Sequence, residues 1–140
     1  MKELKINHVA VWVSIALQFV LGYLWYGLLF GESWMKMVGL DVATIEADPA
    51  GAGEWITNII SAVVSVYVLA WLFTKLNTDS WLKGLWTGFL IGFSFVLLST
   101  MTSDMFAKAP YGLAWITAGF TTLGLMVAGV ILGAWKKYKS

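Results

Sequence analysis

The sequence predicts an all-α protein, a transmembrane four-helix bundle with antiparallel helices and both termini cytoplasmic. Three observations carry that expectation. Four apolar stretches, near residues 8–30, 55–76, 81–102 and 111–135, are each long enough to cross a bilayer, which takes about 20 mainly apolar residues. Charged residues make up only 12% of the chain against 59% hydrophobic ones, and mean hydropathy is +0.77. A soluble domain carries about 25% charged residues, so the deficit points to lipid as the solvent. The third observation is lysine placement. Lys2, Lys5, Lys75, Lys83, Lys136, Lys137 and Lys139 fall on one side of a four-span path, and only Lys36 and Lys108 on the other. The positive-inside rule puts the lysine-rich side in the cytoplasm.

The chain reads as a single membrane domain of 140 residues. Lys2 and Lys5 before an apolar run imitate a signal peptide, but the run continues through Val20 to Trp25 without a small-x-small cleavage site. The expectation is a retained first span. An outer loop over residues 31–54 follows, acidic and carrying Pro49, Gly51 and Gly53. Within it, Ser33 to Val38 ends at Gly39, which predicts a short interfacial helix with a glycine stop. Asp41 to Ala47 predicts another turn or two, ended by Pro49. Asn77-Thr78-Asp79-Ser80 is a tight helical hairpin turn, so spans two and three are expected to be antiparallel neighbours. Tryptophan and tyrosine prefer the headgroup level. Trp25, Tyr26, Trp34, Trp55, Tyr111 and Trp115 accordingly mark the outer interface, and Trp71, Trp81, Trp86, Trp135 and Tyr138 the inner one.

Small residues suggest where the helices meet. Span three carries Ser80, Gly84, Gly88 and Gly92 at four-residue spacing; span four carries Gly124, Ala128, Gly129 and Gly133. Such stripes let two backbones approach closely. The inner halves of spans three and four are therefore expected to pack together, with a subunit interface as the alternative use of one stripe.

Polar residues gather near mid-depth. Ser14, Gln18 and Gly22 share a face of span one, and Asn58, Ser61 and Ser65 a face of span two. Ser94 on span three and Thr117, Thr121 and Thr122 on span four complete a belt. Its candidate ligand or pathway residues are Gln18, Asn58, Ser61, Ser65, Ser94 and Thr121. An unpaired amide in hydrocarbon is costly, so Gln18 is expected to face protein or trapped water. The belt is either interhelical glue or the wall of a polar pocket.

Several classes lose support. Net charge is +1 with no basic cluster beyond the last lysines, so nucleic acid is not an expected partner. There is no cysteine and one histidine, His8, at the membrane edge. No metal, cofactor or catalytic set is expected, and the chain is not read as an enzyme. No Asp, Glu, Lys or His falls in the central half of any span, which weighs against proton-coupled pumps. Asp104 and Lys108 are placed to pair at i, i+4, with solvation as the default.

The run Leu21-Gly22-Tyr23-Leu24-Trp25-Tyr26-Gly27-Leu28-Leu29-Phe30-Gly31-Glu32-Ser33-Trp34-Met35-Lys36 resembles the opening signature of the DUF1761 membrane proteins, roughly L-G-x-L-W-Y-x-P-L-F-G-K-x-W-M-K. The last span is similar to that family's ending, with Ala118-Gly119-Phe120 near its start and Gly129-Val130-Ile131-Leu132-Gly133-Ala134-Trp135 at its close. Leu28 stands where the family often has proline, Glu32 where lysine is frequent, and Thr117 where an aspartate often precedes A-G-Y. The resemblance implies small four-span proteins of uncharacterised function and names no substrate.

Trp25, Tyr26, Trp34 and Met35 are expected to form an aromatic cap over the outer ends of the helices. The leading functional expectation is a binding or accessory protein whose aromatic and acidic cap meets a lipid, a small apolar ligand or a partner. The alternative is a small homo-oligomeric transporter or channel using the midplane belt. The expected setting is the bacterial inner (plasma) membrane, with the lipid bilayer and further copies of the chain as partners.

Overall fold

The computed structural model describes residues 2–140. Six helices and one short ribbon account for most of it: β1 (Leu4–Lys5), α1 (His8–Leu29), α2 (Gly31–Val38), α3 (Val42–Ala47), α4 (Ala52–Leu76), α5 (Trp81–Phe106), α6 (Leu113–Ala134) and β2 (Lys137–Tyr138). Four of them, α1, α4, α5 and α6, are long and apolar enough to cross a membrane. Local chemistry sets their ends. The Asn7 carboxamide accepts from the amides of Val9 and Ala10 and starts α1. Asp41 does the same for α3, and Ser80 for α5. Gly39, at φ 76°, stops α2, and Asn77, at φ 53°, stops α4.

Both termini lie at one end. β1 and β2 pair antiparallel, Leu4 opposite Tyr138. Asn7, itself buried, also donates from Nδ2 to the Trp135 carbonyl at 2.9 Å, so one side chain caps α1 and ties it to the end of α6. The Asn77–Ser80 turn lies at the same end, where the Ser80 carbonyl faces Gly133. The seven lysines of the lysine-rich side therefore share that end, here called inner.

Helix α6 is the hub. Of its most apolar window, 44% is buried, against 22% in each of the other three. Its partner along most of its length is α5, and the contact is backbone on backbone. A methyl group on Gly84 would run into the Gly129 carbonyl, one on Gly88 into the Leu125 carbonyl, and one on Gly92 into the Thr122 backbone at 2.7 Å. Gly133 meets the Ser80 carbonyl in the same way. In lipid, where apolar side chains gain nothing by leaving their solvent, such dispersion contact is what holds helices together.

The hairpin does not pack as its short turn predicts. Beyond the turn, α5 follows α6, whereas α4 packs on α1 and α6. The turn fixes only where α5 starts; the glycine seam then directs α5 along α6. Contact between α4 and α1 is confined to their inner halves. Ala10, Val11, Ile15, Val66, Leu69, Ala70, Phe73, Ala128 and Leu132 form one buried cluster there. Towards the other end α4 stands away, and residues 51–61 are exposed throughout.

The outer loop is more ordered than its composition predicts. Residues 31–54 hold α2, α3 and the first turn of α4, where the Glu54 carboxylate accepts from the Gly51 amide at 3.0 Å. Asp104 and Lys108 do not pair: the ion pairs among the described residues are Glu32–Lys36, Asp79–Lys83 and Glu3–Lys139. Lys108 instead turns left-handed, at φ 61°, in the chain reversal after α5.

Two outcomes test this architecture. Gly88→Leu is expected to lower unfolding free energy in detergent by about 1–3 kcal/mol, because α5 and α6 must separate. Gly53→Ala, with open space around it, is expected to be neutral or to gain up to about 1 kcal/mol. Equal effects would exclude the seam as the cause. The second outcome concerns α3. Hydrogen bonds from the Thr44 hydroxyl and amide, at 2.6 and 2.7 Å, hold the Asp41 carboxyl below its ordinary pKa. A depressed folded value means the cap is fully present above the ordinary aspartate range and is lost as pH falls through the lower folded value. The Thr44 amide shift should titrate below that range, and Asp41→Asn, an equally good cap, should abolish the titration.

Candidate functional site

The divergence of α4 from α1 and α6 opens a cleft of about 720 Å³ between the three helices. Ligand pockets run to about 300–1,000 Å³, so the space suits one small molecule. The polar faces of two spans turn into it. Gln18 from α1, Asn58, Ser61 and Ser65 from α4, and Thr121 from α6 all line it. Ser94 does not. It lies exposed on α5, outside the cleft, and its hydroxyl bonds back to the Leu90 carbonyl of its own helix. The seam holds α5 on the far side of α6, so no residue of α5 lines the cleft.

Gln18 is the deep polar group. Its Nε2 donates to the Gly124 carbonyl at 3.0 Å. The contact requires glycine, since a methyl at residue 124 would occupy the place of the Gln18 carboxamide. Gly124 therefore serves α1, not α5. Ser65 donates to the Ser61 carbonyl at 2.6 Å, one turn earlier in its own helix. Ser14 and Thr122, both buried, do likewise with Ala10 and Ala118. These hydroxyls are satisfied within single helices and tie nothing across. Asn58, near the mouth, makes no side-chain hydrogen bond among the described residues.

The rest of the wall is apolar and aromatic. Phe19 and Tyr23 follow Gln18 on α1, Phe120 and Leu125 flank it on α6, and Ala62 and Trp55 stand on α4. No Asp, Glu, Lys, Arg or His lines the cleft. The buried cluster around Val66 and Ala128 closes its inner end. The cleft is thus open at the outer half of the bundle and floored at mid-depth.

Above it sits the cap. The last seven residues of α1, Tyr23–Leu29, are wound as a π-helix, and Phe30 reaches back to the Trp25 carbonyl at 2.7 Å. The wider turn carries Trp25 and Tyr26 round to α6. Trp25 donates from its indole nitrogen to the Ile116 carbonyl at 2.9 Å. Tyr26 packs edge-on against Phe120 and Trp34, with ring centroids 5.6 and 5.8 Å away. Gly31 permits the return into α2, since any larger residue would strike the Tyr26 carbonyl. Met37 then rests near Gly112 at the approach to α6. Trp34 and Met35 are half-buried, and of the four cap residues only Tyr26 also lines the cleft.

Sequence reasoning missed the aromatic wall. Phe19, Tyr23 and Gly27 do recur at four-residue spacing, a signal for one face of a helix. In lipid that face reads the same as a lipid-facing one. Among the described residues no group of three or more His, Asp or Glu is placed to hold a metal ion. No curated protein and no solved structure matches the chain. The family described as "Protein of unknown function (DUF1761)" does match, over residues 9–133, and the chain, with its four apolar helices, belongs to that family.

Proposed function

We propose that this integral membrane protein is a binding protein, taking one small uncharged molecule into the cleft between α1, α4 and α6. The observation that carries the reading is the gathering of five polar side chains on one aromatic-walled cleft that has no charge and a closed floor. A wall without charged groups favours a neutral occupant, because a lone charge in such surroundings goes unpaired. The cap supports the reading as a roof over the outer helix ends, through Tyr26. The lysine bias favours a lysine-rich end in the cytoplasm, hence cytoplasmic termini and a cleft open to the outer leaflet of a bacterial inner membrane. No catalytic role is assigned.

A small homo-oligomeric transporter is the second reading. The polar groups running from Asn58 at the mouth to Gln18 at mid-depth favour it. Transport would require the floor around Val11 and Leu69 to open.

Native mass spectrometry of the protein released from lipid nanodiscs tests the first reading. The expected result is one retained neutral molecule per chain, lost in Ala62→Phe, which fills the cleft from α4 while the melting temperature holds. Retention that survives Ala62→Phe would move the site out of the cleft. Saturable flux of a neutral solute into proteoliposomes, abolished by the same substitution, would favour the transporter.

A further inference from the structure

The hydrogen bonds inside the cleft leave a particular chemical demand. The Gly124 carbonyl can only accept, so the Gln18 atom 3.0 Å from it must be Nε2. That fixes the carboxamide's orientation. Oε1, packed beside Gly124, then has no donor among the described residues and is not fully buried, and Gln18 lines the cleft. Across the cleft, the Ser65 hydroxyl proton is directed to the Ser61 carbonyl, and Ser65 presents only lone pairs. At mid-depth Gln18 Oε1 and Ser65 therefore offer acceptors from two sides of the cleft, beside the second Nε2 hydrogen and the Ser61 and Thr121 hydroxyls. Phe19, Phe120 and Ala62 make the surrounding wall apolar.

A free acceptor in such a place needs a donor, and a carboxylate or phosphate there would meet no cation to neutralise it. We infer that the cleft takes an uncharged lipid-soluble molecule that ends in a hydroxyl, its O–H donated to Gln18 Oε1 and its apolar body lying along the Phe19–Phe120 wall. The open side between α1 and α4, where residues 51–61 are exposed, admits such a molecule from the bilayer. This inference rests on the cleft reading above and adds the polarity of the end group. Gln18 is the specificity residue, since its fixed orientation sets donor against acceptor.

Three probes with one tail decide it: 9,10-dibromooctadecan-1-ol, its methyl ether and 9,10-dibromooctadecanoic acid. Each is titrated into phosphatidylcholine nanodiscs, and bromine quenching of tryptophan is followed, since Trp55 lines the cleft. Ala62→Phe gives the background from simple partitioning. The alcohol is expected to quench saturably and to bind about fivefold or more tightly than the ether, the ratio one added hydrogen bond supplies; the acid at neutral pH is expected to bind weakest. Gln18→Leu should bring alcohol and ether together. The wild-type ratio needs no substitution, so it stands even if that variant fails to fold. Equal affinity of alcohol and ether, or tightest binding by the acid, overturns the hydroxyl inference and leaves the cleft reading intact. Absence of any saturable quenching above the Ala62→Phe background overturns both.

Discussion

The close contact between α5 and α6 governs the rest of the molecule. At Gly84, Gly88, Gly92, Gly129 and Gly133 the two backbones meet without intervening side chains. A bilayer offers no hydrophobic drive between helices, so contact this close wins over looser alternatives. Once α5 lies along α6, α4 meets it only near the turn, where Phe73 packs at Gly84, although just four residues separate the two helices. α4 is left with α1 and α6 at its inner half. Everything above that contact is free to diverge, and the cleft is the result.

Divergence of this kind carries a cost that the side chains reveal. A helix whose outer half stands off its neighbours exposes its polar face, and in α4 that face carries Asn58, Ser61 and Ser65. Residues chosen only to tie helices together would be found making bonds across a gap. Ser14, Ser65, Ser94, Thr117 and Thr122 all bond to the carbonyl four residues back instead. Gln18 alone of the belt reaches another helix through its side chain. The glue explanation therefore accounts for half of one carboxamide and little else.

Much of this fold was legible in the residues themselves. Span lengths follow from apolar runs, and the stops at Gly39 and Asn77 and the starts at Asn7, Asp41 and Ser80 follow from the capping chemistry of those residue types. The glycine spacing on α5 and α6 was equally plain, because four-residue periods of small residues have one physical use. The direction each remaining face takes was not legible. In water, an apolar face must be buried; in lipid it is satisfied either way, so Phe19 and Tyr23 carry no sign of whether they meet lipid, protein or a cleft. Ser94 shows the same limit from the polar side: a hydroxyl that bonds its own helix sits comfortably on the outside, and depth alone wrongly grouped it with Gln18. The partnership of α4 was lost for another reason, since loop length sets adjacency only at the turn.

The Asn7 clamp has a consequence for how the chain is made. Its carboxamide starts α1 and at the same time holds the Trp135 carbonyl, 128 residues later. The first span therefore enters the membrane with half of its anchoring chemistry vacant. Until the fourth span follows, α1 has neither its tie to residue 135 nor the Gly124 carbonyl for Gln18. Before α6 is made, α1 has only its packing against α4, through the cluster around Val11 and Val66 and the His8–Tyr67 hydrogen bond, to hold it. A chain stopped short of that helix would leave the Gln18 carboxamide without the Gly124 carbonyl, an unpaired polar group in lipid.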